Sequence, residues 1–238
     1  MTTALLPTAS PSIGLLGSFS VCVDHCTVAL PSNAQRVLGY LAVSGLEQPR
    51  DSIATHLWPD AAPDRAMSNL RTALWRVRRA HPAIVRARRD SVRLEDDVSV
   101  DYELLTAKAR QIIADDGPDE SVIDLAPDLL EIELLPGWDE EWLLMDRERY
   151  RQLRIHALES LSGLLTARGL FGRAIDVACA AIRVEPLHES AHAALITAHM
   201  AEGNRTEAIR HFRSYSRLLA EETGLSPSPR LEHLLTWD

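Results

Sequence analysis

The first hydrophobic pattern in the chain has the period of a β-strand. Phe19, Val21 and Val23 alternate with small or polar residues, which predicts short strands within residues 13–30, joined by a turn at Asp24–His25. Beyond this region the apolar positions change to helical spacing and keep it for most of the chain. The pattern therefore predicts a mainly α-helical protein with small β-sheets near its N-terminus.

The next segment of the chain predicts two helices. The first can be capped by the side chain of Ser32 or Asn33, and it ends at Gly45, because glycine readily adopts the left-handed conformation that terminates helices. The second begins at residues 50–52 and stops before Pro59, which cannot continue a helix. Each helix has apolar residues on one face, so both are expected to pack on a common core.

A third helix is predicted from about Arg65 to Ala80. Its Leu70, Leu74 and Val77 recur at intervals of four and three residues and are expected to face the core. The opposite face and its flanks are polar or basic, apart from one tryptophan. The residues predicted there are Ser68, Arg71, Thr72, Trp75, Arg76 and Arg79.

Two β-prone runs follow this helix, at residues 83–88 and 91–95, with a turn near Arg89–Asp90. The order of two helices, a basic helix and a hairpin is that of a winged helix-turn-helix. A helix fits the major groove of DNA, where all base pairs can be distinguished. We therefore predict that Ser68, Thr72 and Arg79 meet bases. The full set of predicted DNA-binding residues is Ser68, Arg71, Thr72, Trp75, Arg76, Arg79, Arg88 and Arg89.

Charge is distributed unevenly along the chain. The formal net charge is −9, yet residues 65–93 contain nine arginines and one acidic residue, a net +8. Residues 106–238 contain 14 basic and 23 acidic side chains. A basic segment in an acidic protein predicts a binding surface for a polyanion. Arg88 and Arg89 in the hairpin turn are expected to meet phosphate, which fixes position but not sequence.

The C-terminal half carries a repeat. Residues 106–135 look like a transition with an acidic turn at 115–120, and a long helix is predicted from Trp138 to about Arg168. A spacing of 34 residues with glycine between helices is typical of tetratricopeptide repeats. The residue pairs with this spacing are Leu161–Leu195, Gly169–Gly203, Ala174–Ala208 and Ile175–Ile209. The sequence predicts stacked α-helical hairpins.

Other chemical signals are weak. The three cysteines, Cys22, Cys26 and Cys179, fit neither a disulfide framework nor a zinc site. Residues 188–192 match the H-E-x-x-H zinc-protease pattern, but no third ligand stands at the expected spacing. The sequence has no P-loop, no dinucleotide-binding fingerprint, no signal peptide and no membrane span. We predict no catalytic residue, no metal and no cofactor.

The stretch RDSIATHLWPDAAPDRAMSNLRTALWRVRRA, at residues 50–80, resembles the DNA-binding domain of the Streptomyces antibiotic regulatory proteins (the SARP family). Trp75 departs from the family, which usually has a small or polar residue there. Residues 134–161 and 181–235 resemble the bacterial transcriptional activation domain that follows the winged helix in SARP proteins, and the ending Glu222–Pro229 is especially similar. The resemblance covers residues 13 to 235.

The resemblance implies a cytoplasmic transcriptional activator that binds double-stranded promoter DNA at direct repeats, as a homodimer or as tandem protomers. It also implies recruitment of RNA polymerase through its sigma or alpha subunits, at genes for an antibiotic or another secondary metabolite. We predict three regions: a disordered tail at residues 1–12, a winged-helix DNA-binding domain at 13–105, and a tetratricopeptide-like activation domain at 106–238.

Two alternatives remain open at this point. One is a protein-interaction scaffold in which the repeat groove binds a peptide and the winged helix has lost its DNA-binding role. The other is a zinc hydrolase, which requires His188 and His192 to share one zinc ion.

Overall fold

A computed structural model describes residues 10–114 and 130–236 of the chain. The predicted acidic turn at 115–120 and the first nine residues of the predicted tail lie outside the described residues. Within the described ranges, no helix combines the length and the apolar character needed to cross a membrane.

The secondary structure is mainly helical, with short strands confined to the first hundred residues. In chain order the strands are β1 (Ser12–Gly14), β2 (Ser20–Val23), β3 (Cys26–Thr27), β4 (Gln48–Pro49), β5 (Val85–Ala87), β6 (Ser91–Leu94) and β7 (Ser99–Val100). The helices of the described residues are α1 (Ser32–Ser44), α2 (Arg50–Leu57), α3 (Pro63–Ala80), α4 (Asp101–Ile113), α5 (Leu144–Ala167), α6 (Phe171–Val184), α7 (Glu189–Glu202), α8 (Arg205–Thr223) and α9 (Pro229–His233).

The chain divides into two compact units. The N-terminal unit consists of Met1–Leu105 and Glu133–Glu148, and the helical unit of Thr106–Ile132 and Arg149–Asp238. Residues 133–148 therefore belong with the N-terminal unit, although the sequence-based division placed them in the activation domain. The predicted domain limits at 12 and 105 stay predictions.

The N-terminal unit contains two small β-sheets. The first has the strand order β3-β2-β1-β7, and β7 runs parallel to β1 while the other pairs are antiparallel. The turn between β2 and β3 falls at Asp24 and His25, with φ of 50° and 62°, as the sequence pattern predicted. The second sheet has the order β4-β6-β5, and its β5–β6 hairpin is the wing.

Helix α1 begins differently from its prediction. Ser32 is already the first helical residue, Pro31 occupies the cap position, and no side chain caps the helix. The predicted cap by Ser32 or Asn33 is thus wrong, because both residues lie inside the first turn. The Pro31 carbonyl accepts the backbone N–H of Ala34 at 2.8 Å instead. The predicted end is confirmed: Gly45 has a φ of 63° and donates its N–H to the Leu41 carbonyl.

The start of the long helix α5 was also predicted wrongly. Trp138 lies six residues before α5, and a single 3₁₀ turn, Glu141–Leu143, precedes the helix. Residues 133–140 instead pair with the N-terminal unit: the N–H of Leu135 donates to the Leu15 carbonyl at 2.8 Å. The Trp138 ring packs beside Gly39, where an added Cβ would come within 3.0 Å of it. Apolar spacing alone did not distinguish this docked loop from a helix.

The helical unit packs α6 on α7 and α7 on α8. Gly169 and Gly203, which are 34 residues apart, both adopt left-handed conformations with φ of 73° and 85°, and each precedes a helix. Ala174 and Ala208, the second pair, are fully buried. Small buried residues at equivalent positions let neighbouring helices approach closely. The predicted α-helical C-terminal region is confirmed, whereas its assignment to the tetratricopeptide class stays a prediction.

A pair of histidines lies inside this unit. Nδ1 of His192 is 2.8 Å from Nε2 of His211, and Nε2 of His192 is 2.8 Å from the Pro186 carbonyl oxygen. Because a carbonyl can only accept, neutral His192 donates through Nε2 and accepts through Nδ1 from His211. Burial lowers the pKa of His192 and, together with the neighbouring histidines, lowers that of His211 to about 4. Both rings are therefore neutral at pH 7.

This pair predicts that the helical unit loses stability in acid. The folded-state pKa of His211 lies below its ordinary value of 6.5, so the unfolded chain binds more protons between pH 6.5 and 4. His211 contributes a slope of at most about 1.4 kcal/mol per pH unit in that window, with stability falling as the pH falls. Urea unfolding between pH 7 and 4 measures this slope. His211→Gln keeps a donor without the titration and should flatten it; an unchanged slope would contradict the assignment.

Candidate nucleic-acid interface

Helix α3 separates its residues sharply into a buried and an exposed face. Its start at Pro63 suits proline, whose fixed φ and missing N–H are tolerated in the first turn of a helix. The residues buried against the N-terminal unit are Ala66, Leu70, Ala73, Leu74 and Val77. The six residues predicted as DNA contacts on α3 are all exposed: Ser68, Arg71, Thr72, Trp75, Arg76 and Arg79. The helix thus presents a continuous polar and basic surface.

The centre of this surface is organised by two local contacts. The Thr72 hydroxyl donates to the Ser68 carbonyl at 3.0 Å, one turn earlier in the helix. The guanidinium of Arg79 lies over the ring of Trp75, 5.2 Å from its centroid, although the ring is 57% exposed. Cation–π stacking on an exposed ring restricts the rotamers of the arginine. Trp75, the departure from the SARP pattern, therefore supports Arg79 on the outward face.

Acidic side chains neutralise part of the basic segment. On the wing, Arg86 pairs with Glu95 at 2.5 Å, and Arg93 pairs with Asp96 at 2.6 Å. The hydrogen bond from Arg93 lowers the pKa of Asp96, so this carboxylate stays charged well into acid. The net +8 counted along residues 65–93 therefore overstates the charge that the wing strands present.

The arginines of α3 remain available to an anion. Among the described residues, no carboxylate forms an ion pair with Arg71, Arg76, Arg78 or Arg79. All four are exposed. Since guanidinium groups carry several donors in a planar fork, such a surface suits phosphate oxygens and the acceptor edge of guanine.

A groove between α3 and the wing adds two residues that the sequence prediction missed. Its lining includes four arginines, together with Leu74, Trp75 and Ala87. The arginines are Arg50, Arg71, Arg78 and Arg79. Arg78 follows Arg71 by seven residues, which places both on the same side of the helix, and this spacing could have identified it. Arg50 begins α2 and donates through Nε to the carbonyl of Arg88 at 3.0 Å, a contact without a sequence signal.

The tip of the wing holds the last two predicted residues. The N–H of Arg88 donates to the Ser91 carbonyl at 2.9 Å, which closes the hairpin turn. The side chain of Arg88 lies 3.7 Å from Glu47 but is 61% exposed, and Arg89 is exposed at the turn itself. An exposed pair of this length is weak and salt-sensitive. Both side chains can therefore turn toward a phosphate backbone.

The H-E-x-x-H motif does not assemble as a metalloprotease site. Glu189 accepts the backbone N–H of Ser228 at 2.9 Å and also its hydroxyl, which ties the start of α7 to that of α9. Both ring nitrogens of His192 are engaged within the helical unit, as described above. His188 groups instead with His156 and Glu159, and His192 is not part of this group. The pairing that the zinc-hydrolase alternative requires is therefore absent from the described residues.

Comparison with protein families now identifies the type of protein. Residues 97–236 match the model of the bacterial transcriptional activator domain. The chain belongs to this family. The SARP-type resemblance inferred from the sequence is confirmed, and SARP-like bacterial transcriptional activators are the class to which the chain is assigned. This family is generally non-enzymatic.

Individual relatives agree with this assignment. The chain is 26% identical over 233 residues to Regulatory protein AfsR of Streptomyces coelicolor, a match that covers 93% of this chain and 23% of AfsR. The structure of Mycobacterium tuberculosis EmbR in complex with a low-affinity phosphopeptide superposes with a TM-score of 0.74 at 19% identity, covering 96% of this chain and 64% of that one. The chain thus spans less than two thirds of either relative. The structural likeness confirms the predicted fold, with small N-terminal sheets and a helical C-terminal region.

Proposed function

We propose that the chain activates transcription by binding specific promoter DNA through α3 and the wing. The observation that carries this proposal is the exposed face of α3, where arginines without carboxylate partners surround the Trp75–Arg79 stack. A helix enters the major groove, and the exposed Arg79 guanidinium, which lies over the ring of Trp75, can reach base edges there. Ser68 and Thr72, on the same exposed face, are the other proposed base contacts.

The remaining exposed arginines have a different role in this proposal. Arg71, Arg76 and Arg78 flank the base-reading residues, and Arg88 and Arg89 lie on the wing. We assign these side chains to phosphates, which position the protein on the duplex without reading its sequence. Each neutralised phosphate releases a counterion, so binding weakens steeply as salt is added.

The proposed role in the cell rests on the family resemblance and not on the geometry of the site. The proposal includes recruitment of RNA polymerase through its sigma or alpha subunits by the helical unit. It also includes binding as a homodimer or as tandem protomers at direct repeats, control of secondary-metabolite genes, and action in the cytoplasm. The chain would work without a catalytic residue or a cofactor.

A competition experiment at several salt concentrations tests the proposal. Labelled DNA from the region upstream of the chain's own gene and from neighbouring promoters is titrated with protein, with random duplex as competitor. A specific regulator prefers one fragment over random DNA by about 1,000-fold or more. Equal binding to all duplexes, or no binding, would contradict the proposal and favour a protein-interaction scaffold.

A further inference from the structure

Three side chains with metal-ligating atoms converge in the helical unit. His156 and Glu159 lie on α5, and His188 immediately precedes α7. Their potential ligand atoms all lie within 4.8 Å of one another. Nε2 of His188 is 3.6 Å from Oε1 of Glu159, and the rings of His156 and His188 have centroids 6.4 Å apart. Two imidazoles and one carboxylate form a ligand set that zinc commonly uses.

The backbone holds these residues in place. His156 and Glu159 are three positions apart on a helix, so their side chains lie on the same face. The N–H of His188 donates to the Glu185 carbonyl at 3.1 Å, and its carbonyl accepts the N–H of Ala191 at 3.0 Å. Both contacts fix His188 at the start of α7. The group therefore brings together α5 and the start of α7, since His188 follows Glu159 by 29 positions and His156 by 32.

The distances suit a tetrahedral metal ion. Zinc binds nitrogen and carboxylate oxygen at about 2.0–2.2 Å, so neighbouring ligand atoms of a tetrahedral site lie about 3.3 Å apart. The His188–Glu159 separation of 3.6 Å is already close to this value. His156 is exposed, so its ring can complete the site by a rotamer change.

A neighbouring hydroxyl orients the carboxylate. Ser190 donates its hydroxyl to Oε1 of Glu159 at 2.5 Å, and His188 approaches the same oxygen. Each carboxylate oxygen has two acceptor positions, so Oε1 can bind the metal and still accept the hydrogen bond from Ser190. Hydrogen bonds of this kind fix the orientation of metal ligands and raise affinity. The side chain of Glu159 is only 18% exposed, which limits its alternatives.

We propose that His156, Glu159 and His188 bind a divalent transition metal of the zinc type, which links α5 to the start of α7. Water supplies the fourth ligand. The site is distinct from the H-E-x-x-H pattern, since it uses only the first histidine of that motif. Metal binding at this site does not require DNA binding, so the two proposals can be tested independently.

Zinc binding to the full, tag-free chain tests the proposal directly. Protein stripped with a chelator is titrated with Zn²⁺ by calorimetry, and Co²⁺ is added separately to report tetrahedral coordination by its visible absorbance. We expect one metal per chain and a melting temperature that rises with metal concentration, because the ion binds the folded state. His156→Ala and Glu159→Gln should each weaken binding about 100-fold or more, which exceeds the usual effect of an outer-shell change.

Two controls separate this site from other histidines. His25→Asn removes an exposed histidine of the N-terminal unit, and His211→Gln removes the partner of His192; both should bind zinc like the wild type. Circular dichroism without metal shows whether each variant is folded. Absence of stoichiometric binding would overturn the proposal. Unchanged zinc binding in both His156→Ala and Glu159→Gln would also overturn it, and so would loss of zinc binding in folded His211→Gln. In either case the metal would be bound by other residues.

Discussion

Arg79→Ala is expected to lower the affinity for the preferred promoter fragment about 5- to 150-fold, since one good base contact provides about 1–3 kcal/mol of discrimination. Affinity for random DNA should fall much less. The reason is the position of Arg79: its guanidinium lies over Trp75 on the outward face of α3, where it can reach base edges. Titrations of both duplexes at fixed salt measure the two affinities.

Two further arginine variants make the comparison specific. Arg89→Ala removes a charge at the tip of the wing and should weaken binding to both duplexes equally, with the salt slope reduced by about one. Arg217→Ala removes an exposed helical arginine from α8 and should change neither affinity. If Arg79→Ala also weakens the two duplexes equally, Arg79 contacts phosphate, and the base-reading role proposed for it is wrong.

Local signals in the sequence predicted much of the N-terminal unit. The turn at Asp24–His25 was predicted because the alternating apolar pattern ends there, and the helix end at Gly45 because glycine readily adopts the left-handed conformation. The structure has a positive φ at all three residues. The buried stripe of α3 was predicted because Leu70, Leu74 and Val77 recur at helical spacing. These signals act within a few residues, so the sequence alone contains them.

Contacts between distant residues were not predictable in this way. The return of residues 133–140 to the N-terminal unit depends on the Leu135–Leu15 hydrogen bond and on the ion pair of Arg36 with Glu140 at 2.5 Å, across more than one hundred residues. The neutralisation of Arg86 depends on the register of β5 against β6, which brings Glu95 beside it. Charge counted along the sequence therefore overestimated the net positive charge that the wing strands present.

Leu161→Ala is expected to destabilise the helical unit by about 2–5 kcal/mol, because it leaves a cavity in a packed core. The side chain is fully buried in α5. Unfolding by urea, followed by circular dichroism, measures the change. Leu225→Ala removes the same atoms from a side chain that is 62% exposed, and it should stay within about 0.5 kcal/mol of the wild type. Similar values for the two variants would contradict the packing assigned to α5.

The second leucine of the 34-residue pair extends this test to the repeat itself. Leu195 on α7 is 4% exposed and lies 34 residues after Leu161 on α5. If the two helices are equivalent members of stacked repeat hairpins, each leucine fills the same kind of interhelical space, and Leu195→Ala should cost about as much as Leu161→Ala. The two side chains are similarly buried. A much smaller loss of stability in Leu195→Ala would therefore mean that the 34-residue spacing arises from similar helix lengths and turn positions, and that the two leucines are not packed in equivalent ways.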